Sequence, residues 1–568
     1  MSKLTGGQAV ARMFRDYGIK YMFGIPGGQT YPIYLGIHEL EPEIRHILFR
    51  CEKCAAMAAD AYARITGKPA VCDATVGPGA TNLVSGVAEA FGASSPLIAV
   101  TSNIHTWMIG KNANQEADAF NALKPFTKAS FYVNRTDKIP EIIRMAFRLV
   151  TSGRPGPVHL DFPADILEAE MDFGNNLYVE PEYSQVPARR VAPDPTTVVE
   201  AADTILKAER PLIFAGGGVI LSRAFDELRQ LAELLAIPVT TSIMGKGAIP
   251  EDHPLSIGAS CTFYDPERIF VSRAPGLMRD ADLVIFVGHR TEQYSTADWL
   301  MPRPGVPVVH IDIDPKEIGR NFPVVVGVVG DAKLSLQALL TVLCKRVAER
   351  DRRKKARTRT IQQAVKAWHA AVAPAMSSDA MPITPHRIIK EINEFIDSDA
   401  IFVTDAGLAS VWGPAFFNVR KAGRVFLSPR GLAGIGNGLP ATIGAKLAAP
   451  DRQVIGFGGD GAFILSLHEL ATMRQAGVDA TYVVSNNQCY AYGRKIYENL
   501  QVPVISHDLG EFNYANIAKA FGCFGIRVER PEDIRSALEA ARNSGLPAVV
   551  EVMTAVEFPT RAAGIVVK

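Results

Sequence analysis

The 568-residue sequence has no surplus of either charge: 60 Lys and Arg stand against 59 Asp and Glu, for a formal net charge of +1. That balance gives no electrostatic basis for binding nucleic acid or an anionic membrane surface, so small-molecule chemistry is favoured. Uninterrupted apolar runs of spanning length are also missing. The opening MSKLTGGQAVARMF has neither the cationic start nor the apolar core of a secretory signal. The expectation is a cytoplasmic protein with no membrane and no nucleic-acid partner. Cysteine is scarce and odd in number, seven scattered residues, which fits a reducing compartment without a disulfide framework. Cys51 and Cys54 have C-x-x-C spacing, but no second pair lies at ligand spacing and the segment runs on into CAAMAADAYARITG. Helix packing is the expected reason for the pair.

Length alone suggests three or four domains, and three α/β blocks can be read along the chain. Residues 1–175 alternate helical and strand-like segments, among them KYMFGIPGG, AVCDATVGPGATN and GPVHLDFP. A polar, proline-rich stretch after residue 173 reads as a linker. Residues 190–345 form a second block containing PLIFAGGGVI and VPVVHIDIDP, followed by the charge-rich CKRVAERDRRKKARTRTIQQAVKAW. Acids and aliphatics interleave there at helical spacing, so the run reads as a solvated linker helix. A third block spans residues 375–555. The fold class expected is α/β, three doubly wound parallel-sheet domains, of which the first and third resemble each other loosely.

The most informative stretch is GDGAFILSLHELATMRQAGVDATYVVSNN, Gly459 to Asn487. QVIGF reads as a buried strand, Gly458–Gly461 as a turn, Phe463–Gln475 as a helix stopped by Gly477, and TYVV as a second strand. Such a unit is a right-handed parallel crossover. Asp460 and Asn487 then lie just past the carboxyl ends of two neighbouring strands, where open α/β sheets bind ligands. A carboxylate and an amide converging there suit magnesium, which takes few protein ligands and fills its octahedron with water and phosphate oxygens. The turn offers backbone N–H groups to the phosphate.

This pattern resembles the thiamine diphosphate signature. FRCEKCAAMAADAYARITGKPAV followed by TVGPGATNLVSGVAEA is similar to the pyrimidine-binding domain of the acetolactate synthase-like enzymes of that cofactor. The resemblance covers nearly the whole chain. It implies that Glu52 hydrogen-bonds the pyrimidine and promotes its imino tautomer, and that Gln115 and Tyr492 face the reaction. Pro26 and Gly27 of FGIPGG would lie under the pyrimidine. Gly407, Gly459, Gly461 and Ala462 would surround the diphosphate, with Ala433 accepting the pyrimidine amino group and Ile435 propping the bent cofactor. Asp460, Asn487 and the carbonyl of Cys489 would hold Mg2+. Because the two half-sites normally come from different subunits, it also implies a homodimer at least, with a homotetramer plausible. The middle block is similar to an adenine-nucleotide-binding domain, with Gly216, Gly217, Gly218, Arg290 and Asp312 as its candidate residues. FAD, ADP, a coenzyme A moiety or an empty site all remain open there, since GHRTEQYSTAD keeps Arg290 but lacks the acidic pair of flavin-binding members.

Three departures bear on substrate. QCYAYGRK carries Tyr490 and Tyr492 and lacks the tryptophan that sorts the second 2-oxo acid. NANQEAD keeps Gln115 and Glu116 but has Asn114 in place of a phenylalanine. SPRGLAG puts Arg430 in a glycine position. With Arg494 and Lys495 nearby in sequence, and His105 as a further proton-transfer candidate, the pocket is expected to take an anionic or oxygenated substrate and to disfavour pyruvate self-condensation. The activity expected is decarboxylation or carboligation of a 2-oxo acid, aldehyde or acyl-CoA. The alternatives are a 2-hydroxyacyl-CoA lyase or oxalyl-CoA decarboxylase-like enzyme, a sulfoacetaldehyde acetyltransferase-like enzyme, and a non-catalytic paralogue that binds the cofactor. The tail VEVMTAVEFPTRAAG bears on the acetyltransferase option.

Overall fold

Strand and helix alternate along the chain to give three six-stranded parallel sheets. A computed structural model describes residues 3–263, 269–347, 353–558 and 564–566. Part of the tail quoted above and part of the charge-rich linker helix lie outside those residues. The helix Arg353–Met376 is the described remainder of that linker.

The sheets of the first and third blocks share one strand order. Numbered by sequence within each sheet, both run 2-1-3-4-6-5. The first contains Tyr21–Gly24, Ala70–Ala74 and Leu97–Asn103 at its centre; the third contains Ile401–Thr404, Val454–Gly459 and Thr481–Asn486. The middle sheet runs 3-2-1-4-5-6, the dinucleotide-binding order, with Pro211–Ala215 and Leu283–Val287 flanking the switch point. Every residue of Leu97–Asn103 and Leu283–Val287 is buried. The apolar runs Leu97–Val100 and Leu283–Val287 are what a parallel sheet covered on both faces requires.

Two short antiparallel additions were not expected. Leu4–Thr5 pairs with Glu170–Met171 across the first block. Gly564–Val566 pairs with Ile269–Val271, so the end of the chain joins the middle block. Neither carries a local signal, because each strand finds its partner far away in sequence. The crossover after Asp460 also differs from expectation. Instead of one helix over 463–475, a single turn Asp460–Ile464 is followed by a 3-10 turn Leu467–Glu469 and the helix Leu470–Ala476. Ser466, with φ −138°, interrupts the helical path, and Gly477 ends it in the left-handed region.

The outer blocks meet through two helices, Glu52–Thr66 and Gly438–Ala448, within one continuous apolar core. Their backbones touch at Gly444, where an added Cβ would lie 2.0 Å from the Ala58 carbonyl oxygen. Among the described residues no helix is long and apolar enough to cross a membrane. Gly444→Ala is expected to push the two helices apart and destabilise the chain by about 1–3 kcal/mol, the usual scale of overpacking. Scanning calorimetry checks this, and an unchanged melting temperature would show that the contact can relax freely.

Candidate active site

The third sheet ends in a cavity of about 330 Å³. Its floor is the turn at the end of strand Val454–Gly459. This strand pairs in parallel with Thr481–Asn486, and the register Gly459↔Ser485 sets Asp460 beside the segment that carries Asn487. Gly459, Asp460, Gly461 and Ala462 line one side, and Asn487 and Cys489 the other. Gly407, Ala433 and Ile435 close a third wall. The two asparagines separate: Asn486 donates to Glu551 at 2.7 Å inside the sheet, while Asn487 is left to the cavity.

Asp460 is 1% exposed, and burial pushes its carboxyl up from 3.8 to about 6. One oxygen, Oδ1, accepts the Gly461 N–H at 2.9 Å; the other, Oδ2, is buried with no hydrogen-bond partner. A buried carboxylate oxygen left unpaired is costly unless something else satisfies it. Asn487 Oδ1 accepts two long contacts from one residue, 3.3 Å from Cys489 N and 3.5 Å from its Sγ. The Cys489 carbonyl accepts from Ala491 N at 2.8 Å, which leaves it one lone pair. This hard oxygen set fits a magnesium ion. An added Cβ at Gly459 or Gly407 would meet nothing within 4 Å, whereas at Gly461 it would strike the Tyr490 ring at 2.5 Å. Room for a diphosphate therefore exists beside the acid, and Gly461 is fixed by Tyr490. Because the helix after Asp460 is a single turn, an anion here meets turn N–H groups and little helix dipole.

Glu52 stands elsewhere. It is the first residue of its helix and buried, with Asn82 Nδ2 donating to Oε2 at 3.0 Å. Gly79 gives it space, since a Cβ there would lie 3.1 Å from Oε1. Pro26 and Gly27 follow the strand Tyr21–Gly24, and Gly27 packs on Thr75. Gln115 adopts a φ of 64° on an exposed loop against Gly77. Glu116, on the same loop, holds the backbone N–H groups of Gly110 and Ala113. None of these residues lines the cavity; a single chain keeps the two candidate half-sites apart.

The expected cations divide. Arg430 lines the cavity and lies over the Tyr294 ring at 4.1 Å; Tyr492 lines it too, its hydroxyl 3.4 Å from that of Tyr294. Arg494 instead pairs with Glu498 and Asp508, and Lys495 with Glu498, so both are drawn away to surface partners. His105 pairs with Glu168 at 3.3 Å and is absent from the cavity wall.

Two acids that organise the site escaped the sequence reading. Asp405, fully buried, accepts the N–H groups of Ala406, Gly436 and Gly438 at 2.6–3.0 Å and so pins the loop after Ala433. Glu89, in the first block, accepts three successive N–H groups, of Gly431, Leu432 and Ala433. A lone acid inside the apolar helix LVSGVAEAFGA was the available signal.

A second cleft, of about 280 Å³, lies at the switch point of the middle sheet. Gly217, Gly218, Arg290 and Asp312 line it, and burial raises the Asp312 carboxyl to about 6. Gly216 does not; it faces Gly288, whose oxygen lies 2.1 Å from its would-be Cβ. Arg290 is tied to the Gly92 carbonyl and lies 3.7 Å from Glu317.

Comparison with known proteins covers all three blocks. Models of thiamine pyrophosphate enzymes match residues 4–122 (N-terminal TPP binding domain), 198–339 (central domain) and 405–552 (C-terminal TPP binding domain). The probable acetolactate synthase large subunit of Methanocaldococcus jannaschii is 37% identical over 97% of this chain and 92% of its own length. An acetolactate synthase of Mycobacterium bovis is 34% identical over 99% and 91%. The acetolactate synthase large subunit of Parasynechococcus marenigrum is 35% identical over 97% and 87%.

The raised Asp460 carboxyl has a consequence for stability. An acid whose folded pKa exceeds its unfolded value penalises folding as pH rises from about 4 through about 6, and fully above that. Asp460→Asn removes the penalty, so the cofactor-free variant should be more stable than wild type at pH 7 by roughly 1–3 kcal/mol. The difference should vanish near pH 4. Melting curves of both proteins at the two pH values check it; a destabilised variant at pH 7 would contradict the burial argument.

Proposed function

Because this chain belongs to the acetolactate synthase-like thiamine pyrophosphate enzymes, we propose that it is a magnesium-dependent carboligase that joins the acyl part of a decarboxylated 2-oxo acid to a second carbonyl compound. The observation that carries the cofactor site is the unpaired, buried Asp460 Oδ2 beside open space at Gly459 and Gly407. When bound, thiamine diphosphate supplies an acidic thiazolium carbon that adds to carbonyls, and a ring that takes up the electron pair released with carbon dioxide.

The chain's own residues then have separable tasks. Asp460, Asn487 and the Cys489 carbonyl hold the ion that neutralises the diphosphate. Ile435 would give the bound cofactor an apolar shoulder and Ala433 a backbone carbonyl. Glu52, held by Asn82, would accept or donate a proton at a ring nitrogen of the cofactor. Gln115 and Tyr492 approach the reacting carbon from opposite blocks. No first-block residue lines the cavity, so we assign the completing Glu52 to a second copy of this chain, with a dimer the smallest active unit and a tetramer its expected assembly. The domains divide at residues 1–175, 190–345 and 375–555. We take the enzyme to be cytoplasmic, a reading supported by seven scattered cysteines that fit a reducing compartment. For the middle cleft, FAD, ADP, a coenzyme A moiety and an empty site are the outcomes that absorbance of the purified protein and mass analysis of any released ligand distinguish.

Arg430 is the cation retained at the cavity among those expected there, and with Tyr492 it favours an acceptor bearing a carboxylate or hydroxyl. A site built to pair with polar groups rejects partners that leave them unpaired. A panel of 2-oxo acids, aldehydes, 2-hydroxyacyl-CoAs and sulfoacetaldehyde with phosphate, read by mass, tests this. Weak acetolactate formation from pyruvate and better turnover of a hydroxylated, carboxylated or thioester substrate are expected. Efficient acetolactate production with nothing better would refute the pocket argument while leaving carboligation intact.

Two variants test the machinery. Glu52→Gln should retain the cofactor but slow exchange of the thiazolium proton by roughly 10²–10⁴-fold; exchange at the wild-type rate would remove Glu52 from that role. Asp460→Ala should abolish magnesium-dependent cofactor retention, measured by titration with and without chelator, and unchanged affinity would sink the ligand assignment.

A further inference from the structure

The pair Cys51 and Cys54 has a partner that the sequence did not reveal. The interruption at Ser466 turns Leu467–Glu469 into a 3-10 segment, and His468 on that segment reaches the start of the Glu52 helix. Its Nε2 lies 3.8 Å from Cys54 Sγ, and the two sulfurs and a ring nitrogen all fall within 4.8 Å of one another. Among the described residues this is the one group of three such donors so placed. We propose that Cys51, Cys54 and His468 bind a thiophilic divalent ion of the zinc class, tying the first block to the third at the residue that precedes Glu52.

The donor chemistry selects the ion. Two thiolates and an imidazole suit a borderline-soft tetrahedral cation and not magnesium. Bonds of about 2.0–2.3 Å to such an ion space its donors about 3.5 Å apart, close to the Cys54–His468 separation. Cys51 caps the helix in an extended conformation with φ −152° and is partly exposed, while Cys54 lies buried one turn in. That position puts both sulfurs at a helix N-terminus, where thiolates are favoured. The hydrogen bond between the two thiols holds Cys51 well below its usual range and, with burial, pushes Cys54 up, so the Cys54 proton is the one the cation must displace. Glu469 Oε1 lies 3.4 Å from the same His468 Nε2, while its carboxylate also accepts the Arg50 N–H and the Thr472 hydroxyl. The cation would displace that contact, and the fourth position would fall to water or to Glu469. Binding involves no redox change: the cation displaces the protons shared among the two thiols and the ring, and they leave to solvent. A pair of cysteines meant only for disulfide exchange needs no histidine from another block, and helix packing alone needs neither thiol.

This site is independent of the carboligase reading, and so is its test. Full-length protein is stripped with chelator, reduced with a phosphine and titrated with Co2+, then with Zn2+ in competition. The expected result is one tight site per chain, with sulfur-to-cobalt charge-transfer absorbance that Zn2+ abolishes. Cobalt at the oxygen ligands around Asp460 would give no such band, so the two sites are told apart. Cys51→Ser, Cys54→Ser and His468→Gln should each lose the tight phase. Should a variant fold poorly, alkylation of the wild type serves instead: Zn2+ should protect Cys51 and Cys54, mapped by mass, and leave exposed Cys344 reactive. Absence of the charge-transfer band in folded, reduced protein would overturn the proposal. So would unaltered binding in the triple variant, or a Cys51–Cys54 disulfide in a protein whose dithiol form takes up no metal.

Discussion

The outer blocks meet backbone to backbone where helix Glu52–Thr66 crosses helix Gly438–Ala448, and much of the molecule follows from that contact. At Gly444 the two backbones leave no room for a methyl group, and at Gly86 the neighbouring helix closes on Ala56 in the same way. Helices this close cannot slide without breaking the shared core. The Glu52 carboxylate and the Asp460 cavity are thus held in a fixed relation within one chain, and that relation keeps them apart. Similar strand orders in the two sheets give the chain a pseudo-symmetric pair of blocks, and a second copy is the natural way to bring unlike halves together.

Much of this was legible in the sequence because it is local. The strand, turn and second strand around Gly459–Asn487 follow from apolar runs and glycine placement, and their parallel pairing follows from the crossover. What was hidden depends on distant partners. The helix break at Ser466 has no strong breaker residue to announce it. Pairing of Gly564–Val566 with Ile269–Val271 joins strands far apart in the sequence. Arg494 and Lys495 looked like pocket cations until Glu498 and Asp508 were seen to take them. Asp405 and Glu89 were missed because an acid that serves backbone N–H groups has no motif; only its presence in an apolar segment hints at it.

Several buried acids share one electrostatic condition. Burial raises Asp405, Asp460, Asp312 and Asp60 to about 6, yet they differ in what offsets the desolvation. Asp405 is satisfied by the chain's own N–H groups, and its work is to shape a loop. Asp460 keeps Oδ2 without a partner, and Asp60 likewise keeps Oδ1, but Asp60 has the Arg64 guanidinium 3.5 Å away, whereas Asp460 faces the open cavity. What tells a structural acid from a candidate ligand is therefore the surroundings of the unpaired oxygen rather than the shift.

The loop 430–433 shows how the pieces join. Arg430 lines both the Asp460 cavity and the middle cleft, and Gly431 lines the cleft beside it. Glu89 from the first block holds the next three N–H groups of that loop, so all three blocks meet in a few residues. A ligand on either side of this wall presses on a segment whose backbone is already clamped by a buried carboxylate. Such a clamp has no second set of N–H groups to move to without exposing a buried charge, which costs several kcal/mol. The wall is therefore built to be rigid. The middle block's share in that wall is the Tyr294 ring, 4.1 Å from the Arg430 guanidinium.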